Sequence, residues 1–351
     1  MTANSQTASV YYRRLGSSGL KVSVPILGTM SMGTSKWQPW VADEEQSIQV
    51  LKAAWDRGIN TFDTANFYSN GESERVLGKF IKQYDIPRNQ IILATKCWGL
   101  VSESDPTVFT PAAPPSFLNK REHINQHGLS RAAILNQVDA SLERLGTTYI
   151  DLLQIHRYDP DTPAEETMKA LHDLVQTGKV RYIGASSMRA WQFAYLNEVA
   201  GRNGWTKFVV MQDEYSLLYR EEEREMHAYC KFNGIGIITW GPLHSGLLAR
   251  PLHSEEETRL KYFKGTPLQY IGTEADSAVI RRVEEVANKR GVSMAKVSLA
   301  WITSKVTTPI IGTASLKSLE ENVVGEEFTL TDDEARYLEE PYVPKRVRGH
   351  L

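Results

Sequence analysis

The chain has 351 residues, 41% hydrophobic and 23% charged, with a formal net charge of −2. That is enough apolar material for a large core, and the only notable basic run is the short Lys345-Arg346-Val347-Arg348, so no electrostatic footprint for nucleic acid is expected. Two cysteines exclude a disulfide framework and fit a reducing, cytoplasmic setting, and no apolar stretch approaches membrane-spanning length. The expected partner is a small neutral or weakly charged molecule, and nothing in the composition speaks to oligomeric state.

Residues 1–9 are polar, lack the apolar centre of a signal peptide and read as a loose tail before a single domain over 10–351. A β-hairpin opens that domain: Tyr11-Tyr12-Arg13-Arg14 runs into Gly16-Ser17-Ser18-Gly19, and Lys21-Val22-Ser23-Val24 alternates on the way back. It reads as a plug or lid. A different rhythm follows, with a strand over 25–29 and a helix over 43–57 carrying Ile48, Leu51 and Trp55, with Gly58 just past its end.

Further strands are expected at 60–62, 91–95, 150–155, 180–184, 208–211, 236–239 and 309–311, eight in all. Between them lie helices with recognisable ends. Ser130 caps one that stops at Gly146, and Thr162-Pro163-Ala164-Glu165 combines a capping box with proline at the first helical position, closed by Gly178. Gly234 and Gly291 mark two more. Strands rich in Ile, Val and Leu without polar alternation argue for a parallel sheet buried on both faces, and eight β-then-α units close most simply as a (β/α)8 TIM barrel. A doubly wound sheet is the alternative, disfavoured because no G-x-G-x-x-G follows the first strand and no Walker loop is present.

In such a barrel the active site gathers where strands end at their C-terminal side. Asp63 ends the second strand, Lys96 the third, His156 the fourth, Ser186 and Ser187 the fifth, Gln212 the sixth and Trp240 the seventh. Tyr68 follows Asp63 by five residues, in a loop closed by Asn70-Gly71 before a helix starting near Ser73. A lysine close to a phenol lowers the tyrosine's pKa, an aspartate holds the lysine charged, and a neutral His156 imidazole orients a substrate carbonyl. The set suits protonation of an oxygen as hydride arrives at carbon.

These residues resemble the aldo-keto reductase superfamily, through Gly58-Ile59-Asn60-Thr61-Phe62-Asp63-Thr64-Ala65 with Tyr68 and Gly71-Glu72-Ser73-Glu74, and through the contexts of Lys96 and His156. The fungal aryl-alcohol dehydrogenase-like branch looks most similar, by Asn125-Gln126-His127-Gly128-Leu129-Ser130-Arg131 and the terminal Val347-Arg348-Gly349-His350. The resemblance implies a catalytic tetrad of Asp63, Tyr68, Lys96 and His156 and a nicotinamide nucleotide, NADPH rather than NADH. It implies that Gly28, Thr29, Met30 and Asp63 adjoin the cofactor, that Ser186, Ser187 and Gln212 hold the carboxamide, and that Trp240 stacks on the ring. Gly241, Pro242, Leu243, Ser245, Gly246 and Leu248 would line the pyrophosphate, with Arg259 over it. Gly312, Thr313, Ser315 and Lys317 would meet the adenosine phosphate, and Glu321 and Asn322 the adenine. Ser187 departs from the asparagine frequent in the family, and Ser318 stands where some relatives carry arginine or glutamine.

The implied activity is reversible reduction of aldehydes or ketones with an aromatic or bulky part. Two rivals are a cofactor-binding regulatory subunit of the same fold and a metal-dependent barrel hydrolase. His123 and His127 have metal-pair spacing, but Ile124 replaces the glutamate of H-E-x-x-H, so no metal is expected and both histidines read as loop surface. Cys97 reads as a bystander. Segments 101–128 and 249–274 are candidate covers for substrate and nucleotide.

Overall fold

The computed structural model describes residues 9–252, 254, 261–262 and 272–350. Two strands, β1 (Tyr11–Arg14) and β2 (Lys21–Val24), form the antiparallel hairpin expected at the start. The next apolar run gives β3 (Ile26–Gly28), and an unanticipated pair of two-residue parallel strands follows, β4 (Met32–Gly33) and β5 (Ala42–Asp43). The chain continues through α1 (Glu44–Asp56), β6 (Thr61–Asp63), α2 (Glu72–Gln83), β7 (Ile92–Cys97), the single turn α3 (Pro115–Leu118), α4 (Arg131–Leu145) and β8 (Ile150–Ile155). Then come α5 (Ala164–Gln176), β9 (Val180–Ser186), α6 (Ala190–Arg202), β10 (Val210–Glu214), α7 (Met226–Phe232) and β11 (Gly236–Trp240). Two helices, α8 (Glu274–Arg290) and α9 (Met294–Lys305), precede β12 (Thr308–Gly312), and α10 (Leu316–Asn322) and α11 (Asp332–Glu339) follow it.

Strands β3, β6, β7, β8, β9, β10, β11 and β12 pair in parallel, in chain order, and β12 returns to β3, so the eight expected strands close a barrel. Closure removes sheet edges, and the helices bury the outer face of each strand, which is why the runs are continuously apolar. The local signals worked where a side chain or glycine completes a helix end. Ser130 accepts from the Ala133 N–H at the start of α4, and Gly146 ends it in the left-handed region at φ 63°. The capping box at Thr162 does not form. Helix α5 starts at Ala164 with Pro163 as its cap, and the Thr162 hydroxyl donates instead to Asp159 at 2.8 Å.

Strand β10 also differs, running on to Glu214 beyond the expected end at 211. Asp213 and Glu214 look like loop residues in the sequence, but each finds a distant partner, His227 at 3.1 Å and Arg348 at 2.9 Å, that lets a charged residue stay in the sheet.

The hairpin closes the N-terminal end of the barrel. Leu15 and Val22 pack on Ile26, Ala94, Leu152, Val210, Ile238 and Ile310. The Ser23 N–H donates to Thr61 and the Ser23 carbonyl accepts from Thr308, both at strand starts. Gly16 sits at φ 59° where a Cβ would collide with the backbone at Gly234 and Gly236. The hairpin is thus a plug and takes no part in the opposite mouth. Of the loose tail expected over 1–9, only Ser9 falls within the described residues.

Truncating the buried plug residue, Leu15→Ala, is expected to lower the unfolding free energy by about 2–5 kcal/mol in urea titrations. A loss under about 0.5 kcal/mol, the size of an ordinary surface change, would show that the hairpin does not seal the barrel.

Candidate active site

Asp63 is the last residue of β6, and three strands supply donors to its carboxylate. Lys96 from β7 approaches Oδ1 at 2.5 Å, while Gln154 from β8 and Gln212 from β10 donate to Oδ2 at 3.0 and 2.9 Å. Lys96 also donates to the Thr64 carbonyl at 2.9 Å and is 1% exposed. Removing an ammonium from water costs several kcal/mol unless a counter-ion and further hydrogen bonds compensate it, and here both do. Burial works against the charged lysine, the adjacent Asp63 outweighs it, and the Lys96 pKa lies above its ordinary value. Gln154 carries no signal in a single sequence, since its side chain sits inside an apolar run.

Tyr68 stands in a turn (Tyr68–Gly71) whose Ser69 and Asn70 both have φ 50°. The strained backbone is tied down: Asn70 donates to the Val108 carbonyl at 2.9 Å and accepts from the Ser102 N–H at 3.1 Å. Gly71 follows at φ 91°, where a Cβ would lie 2.7 Å from Arg144 Cδ. Arg144 in turn pairs with buried Glu74 at 2.7 Å. The Tyr68 ring centroid is 5.3 Å from Lys96 Nζ and stands edge-on to His156 at 5.8 Å.

The expected downward pull of Lys96 on the Tyr68 pKa is present but does not prevail. Burial pushes the phenol up, Lys96 pulls it down, Asp63 pushes it up again, and the pKa ends above its ordinary value. Paired as it is with Asp63, the lysine offers only part of its charge to the phenol. His156 behaves as expected: burial, then Arg157 and Lys96, hold its pKa well below the usual value, so the imidazole is neutral. Its ring stacks on Phe67 at 4.9 Å, and its Nδ1 has no protein partner.

A cavity of roughly 610 Å³ opens over this cluster. Asp63, Tyr68, His156 and Gln212 line it, with Gly28, Thr29 and Met30 at its floor. Trp240, Gly241, Pro242, Leu243, Ser245 and Gly246 form one wall, and Gly312, Thr313, Glu321 and Asn322 the far end. Lys96 lies just beneath. Other expected residues stand back: Ser187 accepts from Trp240 Nε1 at 3.1 Å, Ser186 lies behind Ser187, and Leu248 is in the core. Ser315 caps α10, and Lys317 is exposed on that helix while Ser318 takes the cavity-facing position. Arg259 lies outside the described residues, as does much of segment 249–274.

Small residues leave the wall and the far end of the cavity open. His244, Ser245 and Gly246 are consecutive left-handed residues at φ 46°, 56° and 100°, a tight turn in which the His244 and Gly246 N–H groups donate to the Gly241 and Leu243 carbonyls. Nothing lies within 4 Å of the position a Cβ would take at Gly312, leaving room for close approach. From segment 101–128, Phe109 and Pro111 reach the cavity, with Phe109 packed on Trp37 at 5.4 Å.

Sequence reasoning missed Arg157, Glu214, His244 and Arg348, all of which line the cavity. Arg157 was detectable as the neighbour of a strand-end histidine. Glu214 and Arg348 pair across 134 positions, beyond any local pattern. His123, read as loop surface, is 8% exposed and bonds the Phe117 carbonyl at 2.7 Å. Among the described residues no group of three or more His, Cys, Asp or Glu is disposed to hold a metal, and no helix is long and apolar enough to cross a membrane.

The aldo/keto reductase family pattern matches residues 26–342. Aldo-keto reductase AFTS1 of Alternaria alternata is 49% identical over 343 residues, covering 97% of this chain and 93% of its own. Versiconal hemiacetal acetate reductase of Aspergillus parasiticus is 48% identical over 339 residues, 96% of this chain and 98% of its own. C977.14c of Schizosaccharomyces pombe, assigned provisionally by name to the aryl-alcohol dehydrogenases, is 48% identical over 345 residues, 97% and 98% of the two chains.

Burial pushes the Cys97 thiol up to about 12 and raises Cys230 as well, and both are enclosed. A thiol reagent at pH 8 is therefore expected to modify neither cysteine in the native protein and both in guanidinium. Rapid labelling of one native thiol would contradict this packing.

Proposed function

The chain belongs to the aldo/keto reductase family, oxidoreductases that act on carbonyl groups with a nicotinamide nucleotide, and from that premise we propose an NADPH-dependent reductase of aromatic or bulky aldehydes and ketones, reversible toward alcohol oxidation. The observation that carries the reading is the convergence of Tyr68, His156 and the Lys96–Asp63 pair at one end of a cavity whose other end is lined by Gly312, Thr313 and Ser318. The nucleotide, when bound, supplies hydride to the carbonyl carbon.

The chain's own groups do the rest. Neutral His156 holds the carbonyl oxygen by a hydrogen bond, and the Tyr68 phenol donates its proton to that oxygen as negative charge develops there. The raised Tyr68 pKa keeps the phenol protonated and ready for reduction. Lys96 stabilises the phenolate left behind, and Asp63 keeps Lys96 charged and in place. Trp240, fixed by its bond to Ser187, offers a flat face on which the nicotinamide stacks. The hydroxyls of Thr313 and Ser318, which line the far end of the cavity, favour the 2′-phosphate of NADPH over NADH.

Tyr68→Phe is expected to cut carbonyl reduction by about a hundredfold or more while NADPH binding, followed by quenching of protein fluorescence, stays near its original strength. Retained turnover would sink the tetrad assignment. No turnover of any aldehyde by the unaltered protein, with nucleotide still bound, would favour the regulatory-subunit reading.

A charge-assisted contact of about 1.5–3 kcal/mol corresponds to a preference of about tenfold to a hundredfold in kcat/KM for NADPH. That preference should shrink in Ser318→Ala and at high salt, whereas Lys317→Ala, on the outward side of the helix, should change it little. Equal efficiency with NADH would refute the cofactor assignment.

A further inference from the structure

Charges around the reacting end of the cavity are compensated with one exception. Lys96 is held by Asp63, Glu214 by the fork of Arg348 with Nε at 2.9 Å from Oε2, and His156 is neutral. The exception is Arg157. It lines the cavity, donates from Nη1 to the His156 carbonyl at 2.6 Å, and has no carboxylate within ion-pair distance among the described residues. Glu214 acts on it from farther away but is already engaged by Arg348.

A half-buried guanidinium without a counter-ion is costly, and its planar donors match a carboxylate in two-point geometry. Its bond to the backbone of His156 also fixes where that recognition occurs. A group held by Arg157 lies close to the carbonyl oxygen that His156 and Tyr68 would hold. We propose that Arg157 makes this cavity selective for carbonyl substrates that carry a carboxylate close to the reacting carbonyl, such as 2-oxo acids or compact carboxylated aldehydes. This assignment rests on the carbonyl-reductase reading and names its substrate class.

Matched pairs test it on the full chain with NADPH: 2-oxo-4-phenylbutanoate against its methyl ester, and 3-carboxybenzaldehyde against methyl 3-formylbenzoate. For at least one pair the acid is expected to exceed the ester in kcat/KM by about tenfold or more, the yield of one charge-assisted contact. Arg157→Met should bring the acid-to-ester ratio close to one, chiefly through KM for the acid, and Arg157→Lys should retain part of the preference.

Benzoate binding to the NADP⁺-loaded protein, measured by calorimetry, gives a readout independent of turnover, and Arg157→Met should weaken it about tenfold or more. Equal rates for acids and esters in the unaltered protein, or a ratio unmoved by Arg157→Met, overturns the proposal while leaving carbonyl reduction standing. If neither acids nor esters turn over, the carbonyl-reductase reading falls. Benzoate binding that Arg157→Met leaves intact would then overturn the anion site too.

Discussion

The buried contact between Lys96 and Asp63 is the constraint on which the rest of the mouth depends. Two opposite charges with almost no exposed surface are tolerable only if every remaining lone pair and proton is satisfied. Gln154 and Gln212 complete the carboxylate, and the Thr64 carbonyl takes a second lysine proton. Those partners come from β6, β7, β8 and β10, so the network is complete only when the barrel is closed. The same geometry sets how much positive potential reaches Tyr68: enough to oppose the burial of the phenol, too little to reverse it.

Around that centre the mouth is assembled from segments far apart in the chain. Asn70 is bound to Val108 in the long loop, which sets the Tyr68 turn against the aromatic group of Trp37, Phe67 and Phe109. From the other side the C-terminal residues are laced to acidic partners: Tyr342 and Lys345 to Glu221, Arg348 to Glu214, and His350 to Glu222. Long loops in barrels usually shape specificity, and here their positions are fixed by side-chain bonds and not by regular structure.

The barrel was legible in the sequence because burial on both faces of a parallel sheet leaves a plain mark, and helix stops at Gly146 and Gly291 announce themselves through a left-handed residue. Asp63, Tyr68, Lys96 and His156 were legible as neighbours because a strand end is a local event. What escaped was non-local compensation. Nothing near Glu214 says that Arg348 will neutralise it and let β10 continue. At Thr162 a local rival won, since Asp159 three residues earlier takes the hydroxyl that the capping box needed. His123 looked like a surface residue because its acceptor, the Phe117 carbonyl, belongs to a one-turn helix that periodicity cannot find. Lys317 and Ser318 differ by one residue, and so by about 100° around a helix. Composition could not tell which of them faces inward.

The plugging hairpin lies at the pole opposite the cavity, and its contacts are with strand starts and core side chains such as Leu152 and Val210. Damage there changes how many molecules are folded, whereas damage at the mouth changes what each folded molecule does. Sequence drift in the plug is therefore felt as cellular abundance, filtered by chaperones and proteases, with the kinetic constants of surviving molecules untouched. A lineage could exchange stability for new loop sequences at the mouth, and recover it at the plug, without the two adjustments interfering.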